Sequence, residues 1–287
     1  MKKFFAFFLF GTILISAQNQ RFIYDYTFVK DTLNKSNISK ELMYLDINKE
    51  GSKFYSRDVL VQDSTRMAFY EKQIKTTGGM NVISSPQVNK ATFRNKIFKT
   101  YPKYDVSMET RIGRDVFKVS DNRPISWKIL PEKEKIGEFE TQKATTEFAG
   151  RKWTAWFSTD LPFQDGPYKF HGLPGLIVKM EDASKTHQFE LKGVSKYVEN
   201  TPKISQYDEP QKTITITENQ FRKLFIENRN DPAKQMKQML ASGIIKNMKD
   251  GSGSEISGAT FIKNIENTAK ERNAKDNNII EIDLLKP

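Results

Sequence analysis

The chain has 287 residues, no cysteine, 28 % charged residues and a formal net charge of +11 at pH 7. Without cysteine there is no disulfide, no thiolate nucleophile and no Cys-based zinc site. Basic and acidic residues interleave, with no run of five like charges and no RRM, homeodomain or zinc-finger spacing, so a solvated surface is expected and no nucleic-acid partner.

Lys2 and Lys3, an apolar run from Phe4 to Ile15 and the small exit Ser16-Ala17 predict a secretory signal peptide over residues 1–17. Its removal leaves residues 18–287 and takes two lysines away. The apolar run is too short for a permanent span, so no transmembrane segment is expected in the mature chain, and no cysteine follows to carry a lipid. Export by the general secretory route follows, to the periplasm, the outer membrane's surface or the medium. The remaining length suits a single domain, since cores stop growing at about 250–300 residues.

From about Arg21 to Thr217 the dominant signal is period-two alternation rich in β-branched and aromatic residues, the pattern of half-buried strands. Phe22, Tyr24, Tyr26 and Phe28 fall on one face of the first strand. Leu42 to Ile47 and Lys53 to Tyr55 predict a hairpin about a Lys49-Glu50-Gly51 turn. Ala144 to Phe148 and Trp153 to Phe157 predict another about Ala149-Gly150. Leu176 to Met180, Gln188 to Val194 and Thr213 to Ile216 continue the series. One helix is expected within it, capped by Asp63, with Met67, Tyr70 and Ile74 on one face and Gly78-Gly79 as its stop.

After residue 216 the pattern turns helical. Thr217 with Gln220 has capping-box spacing ahead of Phe221, Leu224 and Phe225. Asp231-Pro232 predicts a second start, with Gly243 as stop. A Gly/Ser-rich connector spans 250–258, an amphipathic stretch runs from Phe261 to Lys275, and Ile279 to Leu284 reads as a returning strand. The expected fold is mainly β: a largely antiparallel, curved or barrel-like sheet over 18–216, with a helical part over 217–287.

The residues from Thr145 to Phe157, then Leu161-Pro162, Gly166 to Phe170 and Gly172 to Ile177, closely resemble the GLPGLI family of exported Bacteroidota proteins. The resemblance covers roughly 40 residues strongly. Many members carry a Cys just before the Lys143-Ala144-Thr145 segment, where this chain has Gln142, so no role of that thiol carries over. The resemblance implies a β-rich envelope protein of undetermined biochemical function, in some cases a genomic neighbour of outer-membrane uptake systems. It supplies no catalytic residues.

Physically, Pro174 suits the second position of a tight turn and Gly175 a third position with positive φ, the type II pattern. Trp153 and Trp156 are an odd number apart and must point to opposite faces of a strand. A large aromatic is more often packed than exposed. Even so, aromatic and turn residues gather here, and flat rings with polar edges grip sugars or peptides. The expected surface for an envelope protein, peptide or glycan is therefore Trp156, Phe157, Pro162, Tyr168, Phe170, His171, Gly172, Pro174 and Gly175.

Two other readings stay open. His171 and His187, with Asp160, Asp165, Glu181 and Asp182, have the chemistry of a zinc site or a hydrolase, but no His-Glu-x-x-His or Gly-x-Ser-x-Gly motif supports it. Met236, Met239 and Met248 offer soft sulfur to copper, although such spacing more often fills a core. No catalytic, cofactor or metal residue is assigned. The favoured expectation is a binding or accessory protein without catalytic activity or cofactor.

Overall fold

A computed structural model describes residues 19–77, 91–113, 115–198, 212–243, 248–249 and 254–286. The expected leader, the Gly78-Gly79 stop and residues 250–253 of the connector lie outside the described residues.

Strands β1 (Gln20–Val29), β2 (Ile38–Ile47) and β3 (Gly51–Ser56) lead into helix α1 (Arg57–Thr77). Then come β4 (Lys96–Thr100), β5 (Asp105–Ile112), β6 (Asp115–Asp121), β7 (Lys128–Ile136), β8 (Phe139–Phe148) and β9 (Arg151–Ser158). After a long loop follow β10 (Leu176–Asp182), β11 (His187–Lys196) and β12 (Thr213–Thr217). Helices α2 (Glu218–Asn230), α3 (Lys234–Ala241) and α4 (Gly258–Ala274) complete the chain with a short 3-10 turn, Ile282–Leu285; a two-residue strand pair, Met248–Lys249 with Glu255–Ile256, precedes α4. Among the described residues no helix is long and apolar enough to cross a membrane.

The first twelve strands form one open sheet in the order β12-β6-β5-β4-β3-β2-β1-β11-β10-β9-β8-β7, antiparallel except where β12 runs parallel to β6. It must curl. Strands β6 and β9 stand eight places apart, which in a flat sheet is roughly 38 Å at about 4.8 Å per strand. Yet Lys169 reaches Asp121 of β6 at 2.7 Å, and the ring of the next residue, Phe170, lies 5.0 Å from that of Trp153 on β9.

Alternation sets which face is buried. On β1, Phe22, Tyr24, Tyr26 and Phe28 point into the curl and are buried. Tyr26 stacks between Phe28 and Phe189, with centroids 4.4 and 4.3 Å away. Each such ring contributes about 1.5–3 kcal/mol by leaving water. Both expected hairpins are present. The turn between β8 and β9 has Ala149 at φ 52° and Gly150 at φ 79°, the paired positive values that a two-residue turn needs to match strand twist. The edge strand β7 is blunted by Pro131 and a run of Lys and Glu, which discourages pairing with other chains.

Several boundaries differ from expectation. Helix α1 starts at Arg57, where the Ser56 hydroxyl accepts from the Asp58 N–H; Asp63 sits inside the helix and pairs with Arg66 and Lys96. Met67 is half-buried there, while the side chains of Tyr70 and Ile74 are not among those described. Thr217 and Gln220 do form the capping box of α2, and Gly243, at φ 71°, follows α3. Asp231, however, caps the end of α2, and α3 begins at Lys234. Ile279 to Leu284 is not a strand. Its carbonyls are occupied by side chains: Arg151 donates to those of Ile279 and Ile280, and Arg222 to that of Asp283, so no ladder is available.

Candidate functional site

The loop over residues 159–175, between β9 and β10, fills the curl. Asp165 and His171 close its neck as an antiparallel bridge, helped by the Gly172 N–H donating to the Gln164 carbonyl at 2.9 Å. The tip, Gly166 to Phe170, turns inward and is buried. Phe170 packs against Trp153, Phe148, Trp127 and Tyr168.

Turning a loop inward buries backbone carbonyls, which need donors. Lys99, fully buried on β4, supplies them. Its ammonium is shared among the carbonyls of Gly166 (2.8 Å), Tyr168 (3.0 Å) and Phe170 (3.2 Å) and the carboxylate of Asp165 (2.5 Å). Burial pulls the Lys99 pKa down, against the pull of Asp165. Asp165 also accepts from the Tyr101 hydroxyl at 2.5 Å and the Gly166 N–H at 2.6 Å, so both members of this buried pair are well hydrogen-bonded.

A second cluster fastens the C-terminal segment. Lys169 donates to Asp121 at 2.7 Å and to Glu281; Arg123 bridges the same two carboxylates, and the Tyr168 hydroxyl donates to Glu281 at 2.5 Å. Burial raises the carboxyl pKa of Asp121, but the Arg123 hydrogen bond and the Lys169 charge outweigh it. For Glu281 the charges of Lys169 and Arg123 do the same, so both carboxyls lie below their usual range. Tyr168 takes φ 55°, a costly value for a large side chain that its hydroxyl bond and packing hold in place.

A third cluster surrounds His187. Its Nε2 lies 2.9 Å from the Asn278 carbonyl, which only accepts, so Nε2 carries the proton, and Nδ1 accepts from the Tyr26 hydroxyl at 2.7 Å. Burial, then the charge of Arg151, lowers its pKa from 6.5 to about 4. Above pH 6.5 His187 is neutral in folded and unfolded chains alike and does not affect stability. From 6.5 down to about 4 only the unfolded chain takes the proton, so stability falls, by about 3 kcal/mol in all, since each tenfold loss of proton affinity is worth about 1.4 kcal/mol. His171 is also lowered by burial and adds to the same slope, while Asp121, Asp182 and Glu281 lose their contribution at lower pH still. Urea unfolding at pH 7, 5.5 and 4 measures this, with an NMR titration of the His187 ring. A His187 that titrates near 6.5 in the folded protein contradicts it.

At the mouth of the loop a group of rings reaches solvent. The imidazole of His171 stacks on Tyr104, with centroids 5.1 Å apart and planes 2° from parallel, and Tyr104 leans on Tyr101 at 4.8 Å. The Trp127 indole N–H donates to the His171 carbonyl at 2.8 Å. All four are half-buried, and exposed Pro102, Gly172 and Pro174 flank them. His171 Nδ1 donates to the Lys169 carbonyl at 2.9 Å, which leaves Nε2 as an acceptor with no partner among the described residues. Burial, reinforced by Asp165, raises the Tyr104 hydroxyl to about 12, so it stays a donor.

The expected surface residues divide. His171, Gly172 and Pro174 lie together at this mouth; Pro162 is exposed earlier in the loop. Phe157, Tyr168, Phe170 and Gly175 are buried and face no solvent. Trp156 is half-buried on the outer face of the sheet, with the Lys143 ammonium 5.8 Å from its ring, away from the inward row of Trp153 and Phe157. Gly175 does not have positive φ; its role is a close approach, a Cβ there standing 2.1 Å from the Ser158 carbonyl oxygen. Positive φ belongs to Gly172, at 93°.

The candidate acid-base and metal residues do not assemble. His171 and His187 sit in separate clusters, each beside one aspartate: Asp165 bridges to the His171 backbone and Asp182 accepts from the His187 N–H, while their carboxylates are taken by Lys99 and Arg151. Glu181 faces Lys179 and Lys185, and Asp160 is exposed. Among the described residues no three His, Asp or Glu side chains converge on a point. Met236 and Met239 lie on α3 and Met248 on the short strand pair. Sequence reading misses Lys99, Tyr101, Tyr104 and Trp127; the aromatic turn Tyr101-Pro102-Lys103-Tyr104 is a signal for the two tyrosines, and nothing marks Lys99 or Trp127.

The family described as "Protein of unknown function (Porph_ging)" matches residues 148–179, from the β8–β9 turn through the inward loop into β10. No curated protein matches the chain. Solved structures that share its fold include "Structure of PNGF-II in P21 space group", with a TM-score of 0.51, and "Structure of PNGF-II in C2 space group", with 0.50. Each is 14 % identical over 74 % of this chain. This chain spans 34 % of the length of either. It is thus similar over one short stretch to a family of unknown function, and in fold alone to part of PNGF-II.

Proposed function

We propose that the protein is a GLPGLI-type binding or accessory protein of the cell envelope, exported by the general secretory route and free of catalytic activity, whose surface takes a glycan. The observation that carries this reading is the Tyr104–His171 stack at the mouth of the inward loop. A half-exposed ring pair offers the apolar face that a sugar ring covers. The open His171 Nε2 and the Tyr104 hydroxyl supply an acceptor and a donor for sugar hydroxyls at its edge. The pair is held through Asp165, which bridges to the His171 backbone and accepts from the hydroxyl of Tyr101, the ring on which Tyr104 leans, so little order has to be gained on binding. What favours binding over hydrolysis is that the buried carboxylates are already committed to Lys99, Lys169, Arg123 and Arg151.

Calorimetric titration of residues 18–287 with a panel of envelope-derived oligosaccharides tests this. At least one should bind, and Tyr104→Ala should weaken it about tenfold or more, on the order of 1.4 kcal/mol. Trp156→Ala, on the outer face, should leave the affinity unchanged. Loss of binding in Trp156→Ala with none in Tyr104→Ala would overturn the assignment.

A further inference from the structure

A separate cavity of about 270 Å³ opens between β1, β5, residues 92–95, α2 and the C-terminal segment. That is room for several waters, at about 30 Å³ each, and slightly below the usual size of drug-binding sites. Its walls are mixed: Phe28, Phe93, Met108, Phe221, Phe225 and Leu284 give it an apolar side, and polar and charged residues supply the rest.

The charge at this cavity is unbalanced. Two acids line it, and each already has a cation: Asp276 faces Arg229 at 3.8 Å, and Glu281 holds Lys169 and Arg123. Three cations line it as well, Lys30, Arg94 and Arg111, and none of them has an ion-pair partner among the described residues. The Lys30 ammonium lies 5.8 Å from the ring centre of Phe28, itself part of the wall. Arg94 and Arg111 are exposed, so their charge stays at the rim, hydrated.

We infer that this cavity binds a small amphiphilic carboxylate, with its apolar body inside and its carboxylate at the rim near Lys30, Arg94 and Arg111. Apolar surface leaves water, while the anion keeps part of its hydration and meets cations that no other group neutralises. An uncharged molecule of the same shape lacks the second contribution. A dication lacks both.

Octanoate, with 1-octanol as its uncharged match, tests the inference on the full mature chain. Octanoate should bind at least tenfold more tightly than 1-octanol, and its addition should shift the Met108 methyl NMR signal. The triple variant Lys30→Gln/Arg94→Gln/Arg111→Gln, altered only at positions that are not buried, should keep the wild-type melting temperature and lose that preference. Failure of octanoate to bind the folded wild type, equal affinity for the two probes, an unmoved Met108 methyl, or an unchanged preference in the triple variant would each overturn it.

Discussion

Replacing Asp165 by alanine is expected to destabilise the protein by about 3–5 kcal/mol, the usual cost of leaving a buried ion without its partner. The Lys99 ammonium has no water to turn to: both side chains are fully buried. Three carbonyls still surround it, which keeps it hydrogen-bonded but supplies no countercharge. The Tyr101 hydroxyl and the Gly166 N–H lose their acceptor as well. At about 2–4 °C per kcal/mol for a chain of this size, the melting temperature should fall by roughly 10 °C. Adding Lys99→Met should restore only part of this, because the charge goes but the carbonyls of Gly166, Tyr168 and Phe170 lose their donor. An exposed pair gives the contrast: Lys152 with Glu147, at 3.7 Å and both 78 % exposed, should be removable without measurable effect. An Asp165→Ala melt within 2 °C of wild type would rule out Lys99 as the fastening of the loop.

The second large effect is expected at Gly175. A β-carbon added there stands 2.1 Å from the Ser158 carbonyl oxygen and 2.9 Å from the Thr159 nitrogen, both backbone, so β9 and the start of β10 must separate to admit it. Even Gly175→Ala should cost about 3 kcal/mol or more, the upper range for overpacking a site that cannot relax. At Gly172 the order of causes is reversed. Nothing lies within 4 Å of an added β-carbon, and the penalty is only that of φ 93° for a residue with a side chain, about 1 kcal/mol. Thermal or urea unfolding of the two alanine variants separates these. Equal destabilisation would mean that the backbone at Ser158 and Thr159 yields to the added carbon and that close approach does not set the cost at Gly175.

That contrast shows where sequence reading stops. The Pro174-Gly175 pair has the composition of a type II turn, yet the positive φ that this composition predicts lies at Gly172 instead. Nothing in the sequence says that Ser158 passes within contact distance. Strands whose buried face is uniformly apolar, such as β1 with Phe22, Tyr24, Tyr26 and Phe28, are legible, as are both hairpins, because alternation and turn chemistry agree there. β4 hides its alternation by placing Lys99 inward, and β7 is charged on both sides because it is an edge. The C-terminal segment looks like a strand by composition, yet its carbonyls go to Arg151, His187 and Arg222 from distant positions. Half of the candidate site is visible in the sequence, as His171, Gly172 and Pro174. Tyr101, Tyr104 and Trp127 join it only through the curl of the sheet, which periodicity does not encode.

If the inward loop and the β4–β5 turn present the Tyr104–His171 rings as a binding surface, those rings and their neighbours must sense the ligand directly. Heteronuclear NMR of residues 18–287, titrated with the oligosaccharide that binds most tightly by calorimetry, tests this. The expected result is a dose-dependent shift of the His171 imidazole and the Trp127 indole N–H, with the Trp156 indole N–H unmoved. A shift confined to Trp156, or binding that leaves His171 and Trp127 unchanged, would contradict it.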